Sequence, residues 1–178
     1  ATSSATDPES NTITYSLTGT GSEYFNVDEN GNVSLKDTLD FETYTNYEIT
    51  LVASDGELTS SSVITFDITD VDEAPSLSSS LKSESFEESI AVGTALATIS
   101  SIDPESQTIT YSLSGTGSEN FEIDSEGNIT SKVTFDYETE TSYTFNVTAS
   151  DGTNSTTSPL TITLSDVNES PDVTISLQ

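Results

Sequence analysis

Carboxylates beside turn residues recur along this chain at one fixed spacing. The segment Asp7-Pro8-Glu9 returns as Asp103-Pro104-Glu105, and Ala53-Ser54-Asp55-Gly56 returns as Ala149-Ser150-Asp151-Gly152. The offset is 96 positions in both cases, with no insertion or deletion. Acids repeated at fixed places indicate one shared task, and sets of oxygen ligands suit a hard cation such as Ca²⁺. The pattern therefore predicts cation binding.

Two further acidic segments repeat in the same frame. Asp40-Phe41-Glu42 matches Asp136-Tyr137-Glu138, and Asp70-Val71-Asp72-Glu73-Ala74-Pro75 returns as Asp166-Val167-Asn168-Glu169-Ser170-Pro171. A period of 96 in a chain of 178 residues indicates two tandem domains. A domain of about a hundred residues is long enough to bury a small core of its own.

The frame of the repeat predicts the domain boundaries. We expect repeat 1 over residues 1–75, repeat 2 over 76–171 and the start of a third repeat over 172–178. Because Ala1 corresponds to Ala97, repeat 1 is expected to lack the counterpart of residues 77–96, which should contain its first strand. The chain is thus expected to be an interior piece of a longer protein.

The composition excludes several classes of function. The chain has 31 acidic and 3 basic residues, a formal net charge of −28, and neither cysteine nor histidine. Nucleic acid and anionic membrane surfaces are poor partners, because phosphate binding needs Lys and Arg. Thiol chemistry, disulfides, zinc sites and Ser-His-Asp catalysis are excluded by residue type. An extracellular protein without disulfides needs another source of stability, and a bound metal ion can provide it.

The apolar residues alternate with period two, which predicts half-buried strands. Tyr143–Ala149 is the clearest strand, with aromatic and β-branched residues on one face and Thr or Asn on the other. Six more strands are expected in repeat 2, over residues 86–90, 96–99, 109–113, 121–123, 128–130 and 160–164. About seven strands per full repeat, with no helical spacing, predict an all-β protein of two tandem Greek-key β-sandwiches.

Three features have plainer interpretations than a ligand site. Asp28-Glu29-Asn30-Gly31-Asn32 resembles the start of a calcium loop but lacks the downstream glutamate, so a β-turn is preferred. Asp40 and Glu42 could imitate a glycosidase pair, but they recur in each repeat, and we expect no enzyme. Core packing is preferred over a sugar platform for the aromatic residues on the apolar phase of strands, which are Phe25, Tyr47, Tyr111, Phe121, Tyr143 and Phe145.

Five motifs in order resemble cadherin repeats, in the divergent form found in large bacterial surface adhesins. Leu39-Asp40-Phe41-Glu42 and Phe135-Asp136-Tyr137-Glu138 look like the family's Leu-Asp-Arg-Glu motif. The other resemblances are residues 70–75 and 166–171 to the Asp-x-Asn-Asp-Asn linker, 103–105 to Asp-Ala-Asp, 149–152 to Ala-x-Asp-x-Gly, and 86–89 with 92–94 to Pro-Glu-Asn ahead of Val-Gly-Thr. The last of these puts the family's glutamate on Glu88.

The resemblance implies Ca²⁺ between successive repeats, held by the bottom of one and the top of the next. It implies upper ions on Asp40, Glu42, Asp70 and Glu73 with the carbonyl of Val71, and a lower ion on Asp72, Asp103, Glu105 and Asp151 with the carbonyl of Ala74. For the second junction it implies Glu88, Asp136, Glu138, Asp166, Asn168 and Glu169. Without metal the acids at a junction repel one another, whereas Ca²⁺ should lock the two sandwiches together.

Several residues depart from the family pattern. Glu73 and Glu105 replace aspartates, which lengthens the ligand arm. Asp72 replaces an asparagine and adds charge, whereas Asn168 keeps the usual amide. Repeat 1 lacks the counterpart of Glu88, which bridges two upper ions in the family. Three ions at the first junction are therefore an upper bound.

Two functions follow from the resemblance. The first is a calcium-stiffened spacer in the extender region of a cell-surface or secreted adhesin, with neighbouring repeats of the same protein as its partners. The second is a recognition module that binds the same module in trans or a glycan. The sequence favours the spacer, because the two repeats are alike and neither carries a long insertion.

Overall fold

Among the residues that the structure describes, the fold is all-β apart from two single 3-10 turns, Ser22–Tyr24 and Ser118–Asn120. The computed structural model describes residues 1–171 and 173–175. The chain forms two compact units, unit 1 over Ala1–Val71 and unit 2 over Asp72–Gln178. The prediction of a tandem all-β architecture is confirmed. Of the segment expected to begin a third repeat, residues 173–175 form no strand and the remainder lies outside the described residues.

Unit 1 contains five strands in two sheets. They are β1 (Thr14–Thr20), β2 (Phe25–Val27), β3 (Val33–Leu35), β4 (Asn46–Ser54) and β5 (Thr59–Asp67). The larger sheet has the order β1-β4-β5, and β2 pairs with β3; all pairs are antiparallel. Ala1 and Val33 also exchange two backbone hydrogen bonds of 2.8 and 2.9 Å.

The core of unit 1 is built on β4, whose apolar side chains follow the period of two that the sequence predicts. Tyr47, Ile49 and Leu51 are buried there, and Phe25 and Val33 cover them from β2 and β3. Fully burying side chains of this size contributes about 1.5–3 kcal/mol each.

The described residues of unit 2 form eight strands in two four-stranded sheets. They are β6 (Ser78–Leu81), β7 (Phe86–Glu87), β8 (Ala95–Ser100), β9 (Thr110–Ser114), β10 (Phe121–Ile123), β11 (Asn128–Ser131), β12 (Ser142–Ser150) and β13 (Ser155–Ser165). One sheet has the order β10-β11-β8-β6 and the other β7-β13-β12-β9. β7 runs parallel to β13, and the other pairs are antiparallel.

The core of unit 2 lies between these sheets. Leu96, Phe121 and Ile129 of one sheet pack with Phe145 and Ile162 of the other. The expectation that the aromatic residues are core residues is confirmed, since the predicted six are buried or pack against a core as partly buried side chains.

The beginning of unit 2 differs from the sequence prediction. The strand expected over residues 86–90 is limited to Phe86–Glu87, because the Ile90 N–H turns back to the Glu87 carbonyl at 3.1 Å. The preceding strand β6 was not predicted. Its four side chains are all exposed, so the segment carries no alternation of apolar and polar residues, and only its pairing with β8 defines it.

The turn predicted at Asp28 is confirmed, and it recurs at Asp124. The Asp124 Oδ1 accepts the N–H groups of Glu126 and Asn128 at 2.9 and 2.8 Å, which closes the turn between β10 and β11. Gly127 has φ of 83°, and a Cβ there would collide with the Ile99 carbonyl oxygen, so the position requires glycine.

Candidate metal centres

The N-terminal end of unit 2 is formed by two turns that each orient an aspartate. In the first, Asp103 Oδ1 accepts the Gln107 N–H at 2.8 Å, and its carbonyl accepts the Ser106 N–H at 3.1 Å. Ser106 has φ of 62°, which lets the chain reverse there. In the second turn, Asp151 Oδ1 accepts the N–H groups of Thr153 and Asn154, both at 2.6 Å. Each turn therefore fixes one oxygen of its aspartate.

Four more carboxylate oxygens of these two turns are buried and lack hydrogen-bond partners among the described residues. They are Asp103 Oδ2, Asp151 Oδ2 and both carboxylate oxygens of Glu105. Asp103 is only 6% exposed. Burying an uncompensated carboxylate costs several kcal/mol, so a set of such oxygens calls for a cation. The donor set consists of oxygen alone, and hence it fits Ca²⁺.

Asp72 and Glu73 bring two more carboxylates to this end of unit 2. The Asn154 Nδ2 donates to both the carbonyl oxygen and Oδ2 of Asp72, each at 2.8 Å. The Gln107 Nε2 donates to Asp72 Oδ1. A carboxylate oxygen of Glu73 lies within 4.8 Å of one of Glu105.

The C-terminal end of unit 2 is organised around Glu88, which is 7% exposed. Its Oε2 accepts the Tyr137 N–H at 2.6 Å and its Oε1 accepts the Val167 N–H at 2.9 Å. These two backbone donors, Tyr137 first, hold the pKa of Glu88 below its ordinary value. Glu88 is therefore tied through both carboxylate oxygens to two segments of the unit.

Three more acids lie around Glu88. Carboxylate oxygens of Glu88, Glu138, Asp166 and Glu169 all lie within 4.8 Å of one another. Desolvation, and then the charges of Glu88 and Glu138, raise the pKa of Glu169. Like charges at this separation disfavour full ionisation, and a divalent cation among them would offset the repulsion.

In unit 1, Glu42 and Asp70 present carboxylate oxygens within 4.8 Å of each other. The neighbouring Asp40 is engaged in its own turn, because Oδ1 accepts the Thr43 N–H and Oδ2 the Thr43 Oγ1–H, both at 3.1 Å. These bonds hold the pKa of Asp40 below its ordinary value. Asp136 repeats the arrangement with Thr139 in unit 2, at 3.1 and 2.9 Å.

The structure thus gathers most of the predicted ligands at the ends of the units but treats some of them differently. Asp40 and Asp136 cap their turns, whereas the neighbouring Glu42 and Glu138 join other acids. Val71, Ala74 and Asn168 are exposed. The liganding role of all of these residues stays a prediction.

The sequence reading missed Gln107 and Asn154, which hold Asp72. Both are amides placed shortly after a predicted ligand, at the fourth position after Asp103 and the third after Asp151. That placement is a usable signal, because Asn and Gln side chains supply N–H donors to a neighbouring carboxylate.

Comparison with known proteins identifies the family. A family model described as the Cadherin domain matches residues 1–69 and 82–165. The chain belongs to the cadherin domain family. It is 33% identical over 79% of its length to Cadherin-17 of Mus musculus, covering 19% of that protein. It is 32% identical over 98% of its length to Cadherin-related family member 1 of Gallus gallus, covering 22% of that protein.

A solved structure supports the same assignment. Protocadherin Gamma B2 extracellular cadherin domains 3–6 match with a TM-score of 0.56 and 27% identity, over 88% of this chain and 40% of that one. Cadherin domains are extracellular adhesion modules rather than enzymes, and they generally bind Ca²⁺. In the described part of this cadherin chain, no helix has the length and apolar character of a membrane span.

Proposed function

We propose that this cadherin pair binds Ca²⁺ and uses it to stiffen an extracellular spacer. The buried carboxylate oxygens of Asp103, Glu105 and Asp151 that lack partners among the described residues carry the proposal. These carboxylates lie on turns that are already ordered by backbone hydrogen bonds. A cation is therefore the one component that the site still needs.

At the N-terminal end of unit 2, the ligands are Asp72, Asp103, Glu105 and Asp151, with the carbonyl of Ala74. Bound Ca²⁺ supplies the positive charge that these oxygens lack and takes six to eight oxygen ligands. The turns at Asp103 and Asp151 hold one oxygen each and leave the other free for the ion. The protein therefore needs little reorganisation to bind.

The stiffening follows from where the acids stand in the sequence. Asp70 and Asp72 lie on either side of the passage from unit 1 to unit 2, with Val71 between them. We propose that Asp40, Glu42, Asp70 and Glu73, with the carbonyl of Val71, hold further ions. Ions that take ligands from both sides of Val71 restrict rotation of the chain there, whereas without metal the acids repel.

The second junction is assigned by the same reasoning. We assign Glu88, Asp136, Glu138, Asp166, Asn168 and Glu169 to a site at the C-terminal end of unit 2. The close approach of four carboxylates there, and the raised pKa of Glu169, support it. This end would join a following repeat through Ca²⁺ in the same manner, so the same kind of junction can recur along a row of repeats. In that row, repeat 1 covers residues 1–75 and repeat 2 covers residues 76–171.

We propose a large bacterial surface adhesin as the parent protein. The absence of cysteine and the two closely alike repeats support a simple extender array, in which metal takes the place of disulfides. Adhesion to a copy in trans or to a glycan is the alternative function for the same repeats. Sedimentation and a glycan-binding screen, each with and without Ca²⁺, separate it from the spacer.

Isothermal titration and small-angle scattering test the central proposal. Titration of the metal-free protein with Ca²⁺ should show binding at roughly 10⁻⁴–10⁻³ M, the range of extracellular modules. The distribution of molecular dimensions should narrow across the same titration. Identical scattering profiles in EDTA and in millimolar Ca²⁺, together with no heat of binding, would refute the proposal.

A further inference from the structure

Asp72 is the one linker residue whose side chain and main chain are both held by side-chain amides within the described part of unit 2. The Asn154 Nδ2 reaches the Asp72 carbonyl and Oδ2, and the Gln107 Nε2 reaches Oδ1. Asn154 is 82 positions from Asp72, and Gln107 is 35 positions away. We call these two amides and Asp72 the amide clasp.

Both residues that donate in the amide clasp belong to the two turns that hold Asp103 and Asp151. The Asn154 N–H donates to Asp151 Oδ1 at 2.6 Å, and the Gln107 N–H donates to Asp103 Oδ1 at 2.8 Å. Each amide residue therefore orients one buried aspartate with its main chain and the linker aspartate with its side chain. One residue couples the position of Asp72 to the position of a second ligand.

The chemistry suits an aspartate at position 72. An ionised aspartate only accepts hydrogen bonds, and amide N–H groups donate to it without adding charge. Each carboxylate oxygen that accepts one such bond keeps a second lone pair. The amides can therefore fix the carboxylate while leaving it able to bind a cation.

Unit 1 has the two equivalent turns but lacks an amide at the position that corresponds to Asn154. Its turns at Asp7 and Asp55 repeat the same backbone bonds, with Asn11 N–H to Asp7 Oδ1 at 2.8 Å and Leu58 N–H to Asp55 Oδ1 at 2.7 Å. Leu58 stands in the position of Asn154, and its side chain has no donor. The turn skeleton therefore does not require an amide at position 154, and the amide has a task of its own.

We propose that Asn154 and Gln107 are positioning residues that hold Asp72 at the metal site before the ion arrives. Neither is a ligand. This inference rests on the proposed binding of Ca²⁺. Outer-shell groups that orient a ligand typically change metal affinity by about 10–100-fold when removed, and the clasp should act in that way.

The test is Ca²⁺ titration of Asn154→Leu, which installs the residue found at the matching position of unit 1. The affinity of the site at the N-terminal end of unit 2 should fall about tenfold, with the number of ions unchanged. In an Asp72→Ala background, which removes the carboxylate that the amides hold, adding Asn154→Leu should change the affinity less than about twofold, because Asn154 acts through the Asp72 carboxylate.

Asn128→Leu is the matched control. The Asn128 Nδ2 donates to Asp124 Oδ2 at 2.9 Å in the turn between β10 and β11, a bond that involves neither Asp72 nor the turns at Asp103 and Asp151. The Asn128→Leu substitution removes the same kind of amide–carboxylate bond from the same unit, and Ca²⁺ affinity should be unchanged. If Asn154→Leu does not fold, Gln107→Leu takes its place in the same cycle.

A second readout needs no metal. In EDTA, nuclear Overhauser contacts between the Asn154 side-chain amide protons and Asp72 should be present in the wild type. If the wild type binds Ca²⁺ but Asn154→Leu binds it with equal affinity, the clasp inference is wrong and the proposed function stands. If the wild type binds no Ca²⁺, the proposed function fails and takes the inference with it, whatever the spectra show.

Discussion

The two ends of unit 2 gather carboxylates in different ways. At the N-terminal end, Asp103 and Asp151 each have one oxygen bonded by their own turn and one buried oxygen without a partner. At the C-terminal end, both oxygens of Glu88 are bonded by backbone N–H groups, while desolvation and then the charges of Glu88 and Glu138 raise the pKa of Glu169.

The difference separates two tasks that a carboxylate can perform in a calcium-binding fold. Glu88 ties the segment after β7 to the Tyr137 and Val167 backbones, so it should stabilise the unit even without metal. Asp103 and Asp151 have spare oxygens that nothing in the described chain satisfies. They should contribute most when an ion is present.

Glu88→Ala should have the largest effect on the metal-free protein. It leaves the Tyr137 and Val167 N–H groups without their charged acceptor, and loss of such bonds should lower the Tm of unit 2 by on the order of 10 °C. Calorimetry in EDTA measures it, with Glu87→Ala as the control, because Glu87 is exposed next to Glu88. Equal melting of the two variants would show that Glu88 has no structural task.

Asp103→Ala or Asp151→Ala should mainly remove the gain in stability that Ca²⁺ gives. A ligand at a hundred times its Kd stabilises a protein by about 2.7 kcal/mol, and that gain requires an intact site. Calorimetry with and without millimolar Ca²⁺ measures the difference. Asp28→Ala is the control, because Asp28 is committed to its own turn by Asn30 and Asn32. If all three variants keep the gain, the ligand assignment is wrong.

Glu169→Gln should change how metal-free stability depends on pH. Because the folded-state pKa of Glu169 is raised, its contribution is fully present below the ordinary value and is lost as pH rises through the raised one. Acidification from neutral pH should therefore first raise the Tm in EDTA, and the variant should flatten that rise.

The contribution of Glu88 to stability depends on pH in the opposite direction from that of Glu169. Its lowered pKa means that its contribution is present above the ordinary value and is lost as pH falls through the lowered one. Stability should therefore fall again at more acidic pH in both the wild type and Glu169→Gln. A wild-type Tm in EDTA that falls steadily from neutral pH would contradict the raised pKa of Glu169.

Thr139→Ala should have the smallest effect. It removes the hydrogen bond from Thr139 Oγ1 to Asp136 Oδ2 at the C-terminal end of unit 2, and a bond of this kind contributes about 0.5–1.5 kcal/mol. Thr43→Ala removes the equivalent bond to Asp40 in unit 1 and should produce a similarly small change in the transition of that unit. A loss as large as that of Glu88→Ala would mean that the Asp136 turn, and not Glu88, organises this end.

The strands show how far local pattern reaches. β12 is predicted because Tyr143, Phe145 and Val147 alternate with polar residues, and a half-buried strand imposes that alternation. β6 is missed because Ser78–Leu81 is exposed on both faces. Its strand character comes from pairing with β8, about twenty residues later, and no local pattern records it.

The candidate ligands show the same limit. The repeat at 96 positions finds the acids at Asp103 and Asp151, and the resemblance of residues 86–89 to a family motif finds Glu88. It does not reveal that Asp136 is bonded to Thr139 while Glu138 joins the acidic group. Two acids that are two positions apart look equivalent in sequence, and only the path of the turn decides where each carboxylate lies.

The sequence by itself determined the all-β class, the tandem repeat, the exclusion of thiol and histidine chemistry, and the family motifs. These depend on composition and on spacing along the chain. The tertiary structure decided which carboxylate oxygens are buried without a partner and which residues hold Asp72. Those facts depend on groups such as Asn154 and Asp72, which are 82 positions apart and meet only when the sheets of unit 2 are formed.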